Sequence, residues 1–252
     1  MPTARSALTA LFAWGFLLPL FLSLALGAPS ALASPGYNRD YGVAPFERVY
    51  FSGTGTVNLI QGDSPAVNIE ASQDVFDYLT VEAHDGALFI DTDGVAAEAA
   101  GRKALTINLT ITNLRELVSI GSGVVRGSGL NVDDLTLEGD GAGFIDIANL
   151  RADELSVTAL GATRFSLSGR VDRQVIDLRG SADYRAEALS SQSVEAQVSG
   201  AGNILLWVEE FLDVHVAGAA RVRYSGSPYV SQRVSGPGSV GRINETFNVN
   251  SI

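Results

Sequence analysis

Residues 119–147 read SIGSGVVRGSGLNVDDLTLEGDGAGFIDI. Two glycines in this stretch, Gly121 and Gly141, stand 20 residues apart, and each is followed four places later by a large apolar residue, Val125 and Ile145. The unit continues outward along the chain. Its glycines return at Gly161, Gly180, Gly200, Gly218 and Gly236, after 20, 19, 20, 18 and 18 residues. The plus-four position then holds Phe165, Tyr184, Ile204, Val222 and Val240. Self-similarity at a fixed period of this length is the mark of a repeat architecture.

Counting from each glycine shows which positions face inward. Six places before it stand Leu135, Leu155, Val194, Leu212 and Val230, with exceptions at Arg115 and Gln174. Four before stand Leu117, Leu137, Val157, Ile176, Ala196 and Val214, with an exception at Gln232. Polar residues fill the places between. This is period-two alternation, with one face buried and one wet. A single coil of this length cannot bury its own apolar face, but stacked coils share one core. The repeats over 105–243 therefore predict an all-β, parallel β-helix of about 18–20 residues per coil, with glycines at corners that need positive φ or close backbone approach. A sandwich or barrel of short strands is the alternative. Leucine-rich repeats are excluded, because their helical face and Asn ladder are missing.

Before the array, residues 46–104 read as a less regular strand-rich portion. FERVYFSGTGTVNLIQG and PAVNIEAS are alternating strands, and YLTVEAHDGALFIDTDG reads as two strands joined by Asp85-Gly86. Residues 95–104 read as a loop, 34–45 as a Pro/Gly-bearing lead-in, and 244–252 as a polar tail. Residues 1–33 carry one charge, Arg5, then a long apolar run and Ala31-Leu32-Ala33. That is the pattern of a secretory signal peptide, with an uncleaved N-terminal anchor as the other reading. Contact with a membrane is expected only through this segment. Periplasm, cell surface or medium is the expected location.

The segments SIGSGVVRGSGLNVDDLTLEGDGAG, QVSGAGNILL and VAGAARVRYSGSPYVSQRVSGPGSVGRI resemble the bacterial GIN-domain family, the auto-transporter adhesin head domain. The final segment matches the family at Tyr224, Gly226, Pro228, Val230, Ser235, Gly236 and Gly238. The opening FERVYFSGTGTVNLIQGDSPAVNIEAS and EAHDGALFI is also similar, so the resemblance spans about residues 46–243. It implies a right-handed β-helix with an irregular first portion, and it transfers no catalytic residues. Only nine residues follow the repeats, so a secreted or periplasmic head is expected rather than a barrel-anchored one.

Composition narrows the function. With 28 acidic and 17 basic residues and a net charge of −11, the chain lacks the basic footprint that nucleic acid requires. It has no Cys, which removes Cys nucleophiles, Cys-ligated zinc and an N-terminal lipid anchor. His84 and His215 are the only histidines, and both read as exposed strand or turn residues. GSGVVRGSG at 121–129 lacks the Lys and the following helix of a phosphate loop. Glycoside chemistry needs two acids across one bond, for which the outward candidates are Asp146, Asp177 and Glu187. Asp133, Asp153 and Asp172 align eight places before their glycines, a pattern calcium can use, but Gln192 interrupts it. No catalytic, metal or cofactor site is expected.

One coil breaks the inside–outside rule. Five after the glycine, the outward residue is Arg126, Asp146, Ser166, Arg185 and Arg223 in other coils, but Leu205 here. Seven after, it is Ser128, Ala148, Ser168, Glu187 and Ser225, but Trp207 here. Leu205 and Trp207 are therefore expected to face outward together, as a recognition patch for a glycan or an envelope protein. Burial of that face by the N-terminal strands is the competing expectation, as is a bulge that flips the parity. The functional expectation is a non-catalytic, adhesin-like binding or structural protein. A carbohydrate-active enzyme and a self-assembling scaffold, with a second copy as partner, are the alternatives.

Overall fold

The computed structural model describes residues 36–92 and 105–243. The signal segment, the 95–104 loop and the 244–252 tail lie outside these residues. The first strands are β1 (Tyr37–Tyr41), β2 (Arg48–Gly53), β3 (Thr56–Gln61), β4 (Ala66–Ala71), β5 (Thr80–His84), β6 (Ala87–Asp91) and β7 (Thr106–Ile111), with a 3-10 turn at Gln73–Asp77. The array follows as β8 (Glu116–Gly121), β9 (Val124–Ser128), β10 (Asp134–Gly141), β11 (Phe144–Gly161), β12 (Arg164–Gly180), β13 (Asp183–Gly200), β14 (Asn203–Gly218), β15 (Arg221–Ser225), β16 (Tyr229–Ser235) and β17 (Ser239–Arg242).

From β8 onward every strand pairing is parallel and joins one coil to the next, which makes the array a β-solenoid. The strands are longer than the short pieces the sequence suggests. β11 to β14 each run 16–18 residues, from one face around a corner into the next. Coil-to-coil hydrogen bonding carries on through that corner with small register shifts. Inward residues stack in columns. One runs Leu88, Val49, Leu117, Leu137, Val157, Ile176, Ala196 and Val214 in register, all buried. Each fully buried Leu or Val contributes roughly 1.5–3 kcal/mol, so the columns supply the main stabilisation.

The repeat glycines form their own ladder. Gly121, Gly141, Gly161, Gly180, Gly200, Gly218 and Gly236 all have positive φ. The residue after a glycine donates its N–H to the carbonyl of the glycine one coil earlier, as Ala162 does to Gly141 at 2.7 Å and Ala201 to Gly180 at 2.8 Å. At Gly200, φ is +136° and an added Cβ would lie 2.1 Å from the Gly180 carbonyl oxygen. No side chain fits there, and that is why the sequence period is written in glycine.

Gln174 interrupts its apolar column in sequence, yet it is fully buried. Tyr184 Oη donates to Gln174 Oε1 at 2.6 Å, Gln174 Nε2 donates to Ser191 Oγ, and Ser191 Oγ reaches the Leu189 carbonyl at 3.4 Å. The buried polar groups satisfy one another, which removes most of their desolvation cost.

The N-terminal strands do not simply precede the first coil. β2 lies between β6 and β8, and β3 between β7 and β9. The chain thus lays down one coil, returns outside it with β6 and β7, then crosses back to start the array. Gly53 is in register with Gly121 and extends the glycine ladder. β5 and β6 form the expected hairpin, with positive φ at both Asp85 and Gly86. β4 closes antiparallel on β7, and β1, within the lead-in, closes antiparallel on β4.

Candidate functional site

On β14, Ile204, Leu206 and Val208 are buried, and the residues between them point out. Trp207 is 39% exposed and Leu205 is half-buried. Alternation along β14 is unbroken through this stretch; the register shift beside it lies in β13, where Ala186 pairs with Leu206 and Ser190 with Trp207. β14 pairs with β13, β15 and β16, whereas β2 to β7 meet the array at β8 and β9, its opposite end. Cross-coil register places Leu205 between Arg185 and Arg223, and Trp207 between Ser190 and Ser225.

The same coil carries a second departure that the sequence reading missed. Seven places before the glycine, the first coil holds the buried Leu114 and the next four hold Asp134, Glu154, Arg173 and Ser193, but the last two hold Phe211 and Tyr229. These are side by side in register and 58% and 73% exposed. The parity test that singles out Leu205 and Trp207 finds them when it is applied on the other side of the corner.

The histidines have ordinary surroundings. His84 stacks on Phe89 at 4.6 Å, Phe89 stacks on Tyr50 at 4.9 Å, and Tyr50 Oη donates to Glu116 Oε2 at 2.9 Å. His215 is exposed between Gln197 and Arg233. The three candidate acids do not converge. Asp146 is paired in register with Arg126 and Ser166 on one face, Asp177 binds Arg179 at 2.5 Å on the other, and Glu187 sits at a corner.

Asp133, Asp153 and Asp172 do line one groove, of about 460 Å³, together with Arg151 and Arg170. Gln192 Nε2 donates to Asp172 at 3.2 Å, so the residue that ends the acidic run is hydrogen-bonded to its last member. Among the described residues, no three His, Cys, Asp or Glu groups are placed to hold a metal ion. Burial pushes the Tyr184 phenol up and keeps it protonated. It is a structural donor, out of reach of any ligand.

The sequence matches the family described as "Putative auto-transporter adhesin, head GIN domain" over residues 45–228. A comparison with curated proteins finds no match. Among solved structures, a protein described as a putative adhesin from Bacteroides fragilis is similar, with 25% identity and a TM-score of 0.77, over 84% of this chain and 98% of that one. Two proteins from Parabacteroides distasonis share the fold. One is described as a putative lipid binding protein, with 22% identity, a TM-score of 0.65 and coverage of 82% and 96%. The other is described as a putative adhesin, with 20% identity, a TM-score of 0.64 and coverage of 83% and 98%.

Proposed function

The chain belongs to the GIN-domain family of adhesin heads, and from that premise we propose a non-catalytic exported protein that binds its partner through the face around Leu205 and Trp207. One observation carries the reading: a tryptophan 39% exposed, at a position where the other coils carry small or polar residues. An exposed indole offers a flat apolar surface for a sugar ring or a protein side chain. The adhesin description of the Bacteroides fragilis protein supports the same class of role.

In this proposal the signal segment 1–33 is removed on export. The mature chain then runs from the lead-in 34–45 through the strand-rich portion 46–104 and the coils 105–243 to the tail 244–252. The coils wind right-handed, as parallel connections within one sheet almost always do. The protein works in the periplasm, on the cell surface or in the medium.

The test is a pull-down of glycans and envelope proteins with wild type and Trp207→Ala. The variant is expected to lose its partner while its thermal midpoint holds, since exposed substitutions usually change stability by within about 0.5 kcal/mol. Partner capture equal to wild type would remove the face from consideration. A second reading, a self-assembling scaffold, is favoured by the edges of β16 and β17, each paired on one side among the described residues. Light scattering that stays monomeric across concentration would remove it.

A further inference from the structure

Three arginines surround the exposed apolar pair. Arg185 and Arg223 flank Leu205 in register on the coils to either side. Arg221 precedes Arg223 by two residues on the same outward parity of β15. All three are exposed, and none has an ion-pair partner among the described residues, whereas Arg115, Arg164, Arg173 and Arg179 each contact a carboxylate. Two acids share this outward face: Asp183 is already engaged by Arg164 at 3.8 Å and by Asn203, and Asp146 lies two coils from Arg185, in register with Arg126 and Ser166. Glu187, Glu209 and Glu210 stand at the corner, and Glu209 accepts from Ser190 at 2.7 Å. From Ala219 to Ile243 the chain carries four arginines and no Asp or Glu, in a protein of net charge −11. Three arginines without an ion pair thus lie on the coils that flank the exposed tryptophan.

We infer that this face takes an anionic polysaccharide, one bearing carboxylate or sulfate groups, with Trp207 under a sugar ring and Arg185, Arg221 and Arg223 on the acid groups. The inference rests on the binding-face reading above and specifies its ligand. Guanidinium forks pair with carboxylate or sulfate oxygens through charge-assisted hydrogen bonds. Arg185 and Arg223 are two coils apart, about 10 Å at the spacing of hydrogen-bonded strands, which suits acid groups on alternate sugars of an extended polymer. The acids at the corner limit the polymer to a path along the arginine column.

Affinity electrophoresis of the full exported chain through gels containing polygalacturonate, dextran sulfate or neutral dextran tests this. Wild type should be retarded by the two anionic polymers, less so as salt rises, and not by dextran. The double variant Arg185→Ala/Arg223→Ala should bind polygalacturonate about tenfold or more weakly, as the loss of two charge-assisted contacts implies. Arg126→Ala removes a charge from the same outward column far from the patch and should change affinity by less than about twofold. If the double alanine variant does not fold, by circular dichroism, the Gln pair replaces it. Equal binding to neutral dextran, insensitive to the arginines but abolished by Trp207→Ala, would keep the binding face and overturn the anionic ligand. Retention on phosphatidylglycerol vesicles with no polysaccharide binding would overturn the ligand class in favour of lipid. Binding unchanged by both the Trp and the Arg variants would overturn face and ligand together.

Discussion

At the N-terminal end the glycine ladder stops at Thr92, and at the C-terminal end it stops at Gly236. Thr92 is fully buried. Its N–H donates to the Ser52 carbonyl at 2.9 Å, its hydroxyl accepts from the Thr54 N–H at 2.7 Å, and that hydroxyl can donate to the Thr54 carbonyl at 2.8 Å. β5, β4 and β1 then cover both faces with antiparallel strands. Arg39 lies 4.3 Å over the Phe76 ring and ties β1 down.

The other end has no such closure among the described residues. Pro237 follows Gly236 and has no N–H, so Gly238 donates to the Gly218 carbonyl instead, at 2.9 Å. Val234, on the inward parity, is 40% exposed, while Val216 and Val198 below it are buried. A solenoid gains its core from neighbours, so its last coil has half the neighbours and half the burial. The closed end carries antiparallel strands and satisfied corners, and the open end carries the arginines and exposed aromatics.

The comparison can be broken by making equivalent changes along the axis. The largest difference is expected at the glycines. Gly200→Ala, with neighbours on both sides and an added Cβ 2.1 Å from a carbonyl oxygen, should cost about 4 kcal/mol or more. Gly236→Ala, on the last coil, where that distance is 2.9 Å, should cost clearly less. Urea denaturation of the two variants gives the contrast, and equal losses would mean that the open coil is as constrained as the centre.

Next come the core side chains. Phe51→Ala, at a residue 1% exposed in the closed end, should cost about 3–5 kcal/mol. Val240→Ala, in the half-buried last coil, should cost less than about 1 kcal/mol. A steep loss at Val240 would show that something covers the open end in solution. The smallest of the three effects belongs to Thr92→Val, which keeps the shape and removes the hydroxyl. It should destabilise by about 0.5–1.5 kcal/mol, the net worth of the hydrogen bonds lost, because the Thr54 N–H sits on an exposed residue where water can replace the hydroxyl. Hydrogen exchange at Thr54 should speed up while exchange near Gly218 stays unchanged.

Much of this molecule was legible in sequence. The alternation around Leu137, Val157 and Ile176 and the spacing of the glycines led to stacked coils, because inside–outside parity and corner geometry are local. The outward placement of Leu205 and Trp207 follows from the same parity. Gly53 did not register as part of the ladder, since its neighbour Gly121 lies far along the chain and the intervening segment follows no period. Gln174 looked like a lapse in the core, because its partners Tyr184 and Ser191 are brought to it only by folding. Phe211 and Tyr229 obey the same parity on the other side of the corner, so their outward placement is local as well.

The sequence by itself determined the coil length, the identity of the corners and which side chains face the core, all set by spacing within one coil. The order in which coils stack, the insertion of β2 and β3 between earlier and later strands, and the closure at Thr92 were decided only by tertiary structure. So was the gathering of Arg185, Arg221 and Arg223 around Leu205 and Trp207. Each depends on register between segments distant in sequence, and register is fixed by hydrogen bonds and packing between coils, which no single coil encodes.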